Sequence, residues 1–285
     1  LITVIARKVG TESNNQCLQP GEIQYYHEFS KNVKNEDLSG YTFLMMYKEG
    51  LMKLTDYVFS FIADLGVKDV FLVSGGSEAV ETAVKMAKKY HRNRGEPTRF
   101  KVISRLDSYH GATHLCMSLG GGSSAHSGDY GPIMLGTPKV TQPYQYRCHH
   151  CEGKCNLKCA GDVERTIQAE GAEQVAAVIG EPISAAAGVA VPHPDYWPTI
   201  RAICDKYGVL LIADEVITGF RIDLGGCQEY FNIRADIITY GKVIGGGLPI
   251  GIVAGKSKFL DALDGGFWQY GDHSFPKVKS THFPM

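Results

Sequence analysis

The chain has 285 residues, which allows one or two domains with a sizeable hydrophobic core. Its content of 44% hydrophobic and 21% charged residues is that of an ordinary globular protein, and no apolar run reaches the length of a membrane span. The net charge of −1 gives no general attraction to nucleic acid or to an anionic membrane, so we expect neither as a partner.

The N-terminal part of the chain is the least informative. Residues 1–50 show no hydrophobic period, and this segment stays unassigned. Apolar residues at three- and four-residue spacing then predict an amphipathic helix over 54–65. A buried strand is predicted at 70–73, and a helix over 78–92 has acidic residues early and lysines late, as the helix dipole favours.

The rest of the chain alternates apolar runs with helical patterns. Further strands are predicted at 100–104, 175–182, 209–214, around 237–241 and at 250–255. Helices are predicted around 161–169 and over 197–208. This alternation predicts an α/β fold with a mostly parallel sheet between layers of helices. We expect residues 51–285 to form this domain.

Polar residues stand where several of the predicted strands end. They are Ser77, His110, Glu181, Asp214 and Lys242. In open α/β sheets, ligands bind beyond the carboxyl ends of the strands. The pattern therefore predicts that these side chains share one site.

The turn Ser74-Gly75-Gly76-Ser77 joins a strand to a helix. Its backbone N–H groups, its hydroxyl and the positive end of the helix suit a phosphate group. The alternative is a plain turn in which Ser77 caps the helix. Tyr109, just after another strand, has a ring that can stack on a heteroaromatic ligand, or it is simply a half-buried turn residue.

Two residues of opposite charge suggest a particular cofactor. Asp214 ends a buried apolar run, where a carboxylate requires a cationic partner. Lys242 follows the next apolar run and precedes three glycines, and its apolar neighbours predict a poorly solvated amine rather than a surface lysine. A lysine for a Schiff base and a carboxylate for a pyridinium nitrogen are what pyridoxal phosphate requires. Glu181 is either a polar anchor near that cofactor or a loop cap.

The eight cysteines fall into two groups. Cys17, Cys116, Cys204 and Cys227 are scattered, which is typical of buried thiols and predicts a cytoplasmic protein. The other four lie within twelve residues and are candidate ligands for zinc or an iron–sulfur cluster, although a reduced loop is the alternative. These clustered cysteines are Cys148, Cys151, Cys155 and Cys159.

Five segments together resemble a known family. They are SGGSEA (74–79), SYHGAT (108–113), GEP (180–182), ADEVITGF (213–220) and YGKVIGGGLPIG (240–251). In this order and spacing they resemble class III pyridoxal-phosphate aminotransferases of fold type I. The second half is similar to the glutamate-1-semialdehyde aminomutase branch and to aminotransferase domains of polyketide and peptide synthases.

The resemblance implies an enzyme that passes an amino group from a small-molecule donor to a carbonyl acceptor, or shifts it between neighbouring carbons. Lys242 would bind the cofactor covalently, and Asp214 would pair with its ring nitrogen. Val216 and Tyr109 would cover the two ring faces, with Glu181 and His110 nearby. Gly76 and Ser77 would hold the phosphate. Members of this family usually work as homodimers.

Two features depart from the family pattern. The family's C-terminal small domain is not recognisable, and we expect the chain to represent a truncated large domain with a cysteine-rich insertion at 144–160. Residues 51–77 also resemble the opening of thiamine-diphosphate enzymes, which suggests a fusion. The alternative to an active enzyme is therefore a fragment that binds a partner or a metal.

Overall fold

The computed structural model describes residues 69–121, 130, 136–148, 150–151, 155–223 and 225–260. The unassigned segment 1–50, the predicted helix at 54–65 and most of the thiamine-like stretch lie outside these residues. Within the described part of the chain, no helix is long and apolar enough to cross a membrane.

Seven strands form one sheet. They are β1 (Asp69–Val73), β2 (Lys101–Arg105), β3 (Lys139–Val140), β4 (Val175–Gly180), β5 (Leu210–Asp214), β6 (Ile237–Tyr240) and β7 (Gly251–Gly255). Their order across the sheet is β1-β7-β6-β5-β4-β2-β3. All the strands predicted within the described residues are present, and β3, which is only two residues long, was not predicted.

Helices cover both faces of this sheet. They are α1 (Gly76–Asn93), α2 (His114–Leu119), α3 (Lys158–Glu170), α4 (Tyr196–Tyr207), α5 (Gly226–Tyr230) and α6 (Ser257–Leu260). Gly75 is the N-cap of α1, so Ser77 lies inside the first turn and does not cap the helix. The short helix α2 was not predicted, because six residues carry too little period.

The central sheet is parallel, as predicted, with one exception. Strands β3, β2, β4, β5 and β6 run in the same direction, whereas β7 is antiparallel to both β6 and β1. Only residues 241–250 join β6 to β7, and this connection is too short for a parallel crossover. The α/β architecture with a mostly parallel sheet is therefore confirmed.

Alternate residues of the strands pack on opposite helical layers. On one face, Ile212 of β5 lies in a cluster with Ala83 of α1 and Leu119 of α2. On the other face, Leu211 of β5 lies with Ile167 of α3 and Ile200 of α4. Because β5 is buried on both faces, its sequence is a continuous apolar run. This packing fixes the carboxyl ends of the parallel strands, where the candidate site begins.

Candidate active site

An open cleft of about 140 Å³ lies at the carboxyl ends of the parallel strands. It contains all eight predicted cofactor-site residues and two more, Gly111 and Ile217. Its lining is Gly76, Ser77, Tyr109, His110, Gly111, Glu181, Asp214, Val216, Ile217 and Lys242. The prediction that the polar strand ends share one site agrees with this geometry.

Asp214, the last residue of β5, is held from three directions. Its Oδ2 accepts a hydrogen bond from Nδ1 of His110 at 2.6 Å. Its Oδ1 accepts from the hydroxyl of Thr239 and from the backbone N–H of Val216, both at 3.1 Å. Since Asp214 is only 4% exposed, these donors stabilise a charge that burial would otherwise disfavour. Thr239 was not predicted as a site residue.

Glu181 lines the same cleft as His110. Its Oε2 accepts from the Ser184 hydroxyl at 2.8 Å and lies 3.8 Å from the guanidinium of Arg105. Burial raises the pKa of Glu181, and the nearby His110 and Arg105 oppose that rise. Among the described side chains, Glu181 Oε1 and His110 Nε2 are buried polar atoms without a hydrogen-bond partner. Both residues line the cleft.

Glycine leaves room at the first turn of α1. A Cβ at Gly76 would lie 2.8 Å from Cγ1 of Val216, so only glycine lets the two elements approach this closely. Next to it, the Ser77 hydroxyl accepts a hydrogen bond from the backbone N–H of Ala112 at 3.1 Å. The helix start, the loop after β2 and the loop after β5 therefore meet at one end of the cleft.

Lys242 lies just beyond β6, at the first position of a short 3₁₀ turn, Lys242–Ile244. Its φ of 45° falls in the left-handed region, which non-glycine residues rarely adopt and which is common at functional sites. The side chain is exposed and lines the cleft, rather than being poorly solvated as its apolar neighbours suggested. The reason is that the turn carries it past the end of the buried strand.

Glu215, the neighbour of Asp214, has a structural role that the sequence did not indicate. It is only 1% exposed. It accepts hydrogen bonds from the Thr218 hydroxyl and from the backbone N–H groups of Cys227 and Gln228. Burial raises its pKa to about 7, against these hydrogen bonds. Glu215 thus ties the loop after β5 to helix α5.

The clustered cysteines lie away from this cleft. No group of three or more Cys, His, Asp or Glu side chains among the described residues is arranged to hold a metal ion. The predicted zinc or iron–sulfur centre is therefore not assembled there. The Cys151 thiol instead donates a hydrogen bond to Oδ1 of Asn156 at 3.0 Å.

Comparison with known proteins agrees with this site. Residues 31–272 match the family described as Aminotransferase class-III. This range includes residues 51–77, so the segment with the thiamine-enzyme resemblance belongs to the same match. The chain is 36% identical to an omega-aminotransferase of Caulobacter vibrioides over 212 residues, which are 71% of this chain and 47% of that protein.

Two further relatives give the same result. A glutamate-1-semialdehyde 2,1-aminomutase of Alkaliphilus oremlandii is 34% identical over 201 residues, covering 69% of this chain and 43% of that protein. The crystal structure of an amine transaminase from an uncultivated Pseudomonas species, in a PLP-bound form, superposes with a TM-score of 0.70 at 35% identity. That superposition covers 74% of this chain and 48% of the Pseudomonas chain. The chain thus spans about half the length of the relatives it matches.

Proposed function

Because the chain belongs to the class III aminotransferase family, we propose that it forms the cofactor-binding part of a pyridoxal-phosphate-dependent enzyme. The reaction is the transfer of an amino group from an amino donor to a carbonyl acceptor, or its shift between adjacent carbons of one substrate. The observation that carries this proposal is the buried His110–Asp214 pair, which shares a cleft with Lys242.

The residues of the cleft fit pyridoxal phosphate. Asp214 is a buried carboxylate whose three protein donors leave room for one more partner on its accepting oxygens. His110 Nε2 and Glu181 Oε1 are buried and unpaired among the described atoms. Gly76 lets Val216 approach the start of α1, where a Cβ would lie 2.8 Å from Cγ1 of Val216. The buried, unpaired polar atoms are costly to the fold on their own, and a polar ligand would offset that cost.

When bound, the cofactor supplies an electron sink for the carbon that loses a proton. Asp214 would accept a hydrogen bond from the ring nitrogen and keep that nitrogen protonated. His110 supports this role because its Nδ1–H fixes the direction of the Asp214 carboxylate. Thr239 holds the other carboxylate oxygen, so that the acceptor stays oriented.

The phosphate would bind at the start of α1. Gly76 and Ser77 are the first two residues of this 18-residue helix, where the backbone N–H groups have no partner within the helix. The positive end of the helix dipole favours an anion at this point. Tyr109 and Val216, which both line the cleft, would cover the two faces of the ring.

Lys242 would bind the cofactor covalently through Nζ and would then move a proton at the substrate carbon. Its side chain reaches the cleft that also contains Asp214, so the amine and the carboxylate flank the same space. The relatives include both an omega-aminotransferase and an aminomutase, so both amino transfer and amino shift stay within the proposal. The homodimer and the cytoplasmic location stay predictions.

A panel of amines and amino acids tests this function. Each is mixed with the protein loaded with pyridoxal phosphate, and chromatography follows the formation of pyridoxamine phosphate and of the matching carbonyl product. We expect at least one donor to react and the Lys242→Ala variant to give no product. An isomerised amine formed without any carbonyl acceptor would identify the amino shift. If the protein binds the cofactor and no member of the panel reacts, amino transfer by this chain is excluded for those donors and the proposal fails for them.

A further inference from the structure

Arg105, the last residue of β2, is a buried cation that lies next to the cleft without lining it. Its side chain is only 3% exposed, and Glu181 supplies the one carboxylate within 4 Å of it among the residues that the structure describes. Glu181 lines the cleft, whereas Arg105 does not. A buried charge without a partner is costly, so Arg105 and Glu181 depend on each other within the fold.

The neighbouring strand leaves room for the guanidinium. Arg105 extends from β2 toward the end of β4, the strand paired with it, and a Cβ at Gly180 would lie 3.2 Å from Cζ of Arg105. The same Cβ would lie 3.0 Å from Cη2 of Trp197 on α4. The guanidinium lies over the Trp197 ring, 5.4 Å from its centroid. The glycine and the indole together hold the guanidinium in one place.

The guanidinium and a serine hydroxyl contact the same oxygen of Glu181. Nη2 of Arg105 donates a hydrogen bond to the backbone carbonyl of Glu181 and lies 3.8 Å from its Oε2. The Ser184 hydroxyl donates to Oε2 at 2.8 Å. The other oxygen, Oε1, is buried and has no hydrogen-bond partner among the described atoms. The protein contacts of this carboxylate thus fall on Oε2.

We propose that Arg105 is a positioning residue of this site, which fixes the Glu181 carboxylate so that Oε1 accepts a hydrogen bond from the group bound in the cleft. This inference rests on the proposed function, because that group is pyridoxal phosphate or its aminated form, pyridoxamine phosphate. Both molecules carry O–H or N–H donors, and only the second has an amino group in place of the aldehyde. A carboxylate that is already oriented loses little freedom when the ligand binds.

This role differs from a purely structural one in two measurable ways. Removing the guanidinium should weaken ligand binding only while Glu181 is present, because Arg105 acts through that carboxylate. A different cation should restore much of the binding, because Arg105→Lys keeps a positive charge near Oε2. A residue that only stabilises the fold would show neither dependence on Glu181 nor this rescue.

The experiment measures the affinity of the full chain for pyridoxamine phosphate, which forms no covalent link with Lys242, and for pyridoxal phosphate. Titration calorimetry gives both dissociation constants. We expect Arg105→Met to weaken pyridoxamine phosphate binding roughly tenfold or more and Arg105→Lys to weaken it by no more than about threefold. The double variant Arg105→Met/Glu181→Gln should bind no more weakly than Glu181→Gln alone.

Two further variants keep the test decisive even where Arg105→Met folds poorly. Ser184→Ala removes the other donor to Oε2 and should weaken binding about threefold, again only while Glu181 is present. Arg201→Met is the matched control, because Arg201 is a partly buried arginine of α4 that pairs with Asp236 at 2.8 Å, and neither residue lines the cleft. This control should lose stability in urea and keep normal affinity for both ligands.

Equal losses of affinity in Arg105→Met and Arg201→Met would overturn the proposal, and so would additive effects of the Arg105 and Glu181 substitutions. A loss confined to pyridoxal phosphate would also overturn it, since the covalent link with Lys242 would then be the step affected. Similar losses for both ligands would assign the donor to the groups they share, and a loss confined to pyridoxamine phosphate would assign it to the amino group. If the unmodified chain binds neither ligand, the proposed function fails and the role of Arg105 fails with it.

Discussion

Nδ1 of His110 lies 2.6 Å from Oδ2 of Asp214, although the two residues are 104 positions apart in the chain. His110 follows β2 and Asp214 ends β5, and β4 lies between these strands in the sheet. Both side chains are fully or nearly fully buried. Under the proposed function, this contact orients the carboxylate that would accept a hydrogen bond from the cofactor ring nitrogen.

The first prediction concerns this pair. Replacing His110 with Ala removes a hydrogen bond to a charged group, and pyridoxal phosphate affinity should fall roughly ten- to a hundredfold, or about 1.5–3 kcal/mol. His110→Asn keeps a donor near the position of Nδ1 and should retain most of the affinity. Absorbance titration with the cofactor measures both. His114→Ala, at an exposed position at the start of α2, is the control and should bind normally. Equal affinity in His110→Ala and His114→Ala would show that the contact does not support cofactor binding.

The second prediction concerns the close approach at Gly76. An added Cβ would lie 2.8 Å from Val216 Cγ1, so Gly76→Ala should destabilise the fold by about 1–3 kcal/mol and weaken cofactor binding. Combining it with Val216→Ala should restore part of the stability, because the clash is with that side chain. Chemical denaturation measures the free energy of unfolding.

The control for this prediction is Gly161→Ala in α3. A Cβ there would meet only the end of the Arg165 side chain at 3.5 Å. This variant should be as stable as the unmodified protein or more stable by up to about 1 kcal/mol, because alanine favours helix. Finding Gly76→Ala as stable as Gly161→Ala would disprove the steric argument.

The third prediction is a pH dependence of stability caused by Glu215. Burial raises its pKa in the folded state to about 7, above the ordinary value for an unfolded glutamate. The folded protein therefore holds this proton more tightly, so the contribution of Glu215 to stability is greatest in acid and is lost as the pH rises to about 7. In Glu215→Gln, the fall in the free energy of unfolding over this pH range should be smaller by about 1 kcal/mol or more, because the amide does not ionise.

Urea denaturation at several pH values measures the effect. Glu229→Gln, on the exposed side of α5, is the matched control and should keep the full slope. If the Glu215 and Glu229 variants show the same pH slope, Glu215 does not carry the proton in question.

The sequence was sufficient to predict that Asp214 and Lys242 share one site, because both residues break the pattern around them. Asp214 ends an apolar run, and Lys242 follows another, so each is conspicuous without a structure. The common carboxyl edge of a parallel sheet then brings them together. The same reasoning identified Gly76 and Ser77 at the start of α1.

Other features could not be obtained in this way. Thr239 is an ordinary strand residue by sequence, and only the pairing of β5 with β6 places its hydroxyl next to Asp214. The burial of Glu215 could not be predicted, because nothing in the sequence shows that the loop after β5 folds back onto α5. The antiparallel direction of β7 depends on the short link after β6, which local periodicity does not report.

The measurement that tests the central claim most directly is the position of the covalent lysine link. The protein is incubated with pyridoxal phosphate, reduced with borohydride and digested, and the peptides are mapped by mass spectrometry. We predict roughly one modified lysine per chain, Lys242, no label at that peptide in Lys242→Ala, and normal labelling in the control Lys256→Ala. Absence of a label on Lys242, or equal labelling of other lysines such as Lys139, would contradict the proposed cofactor site.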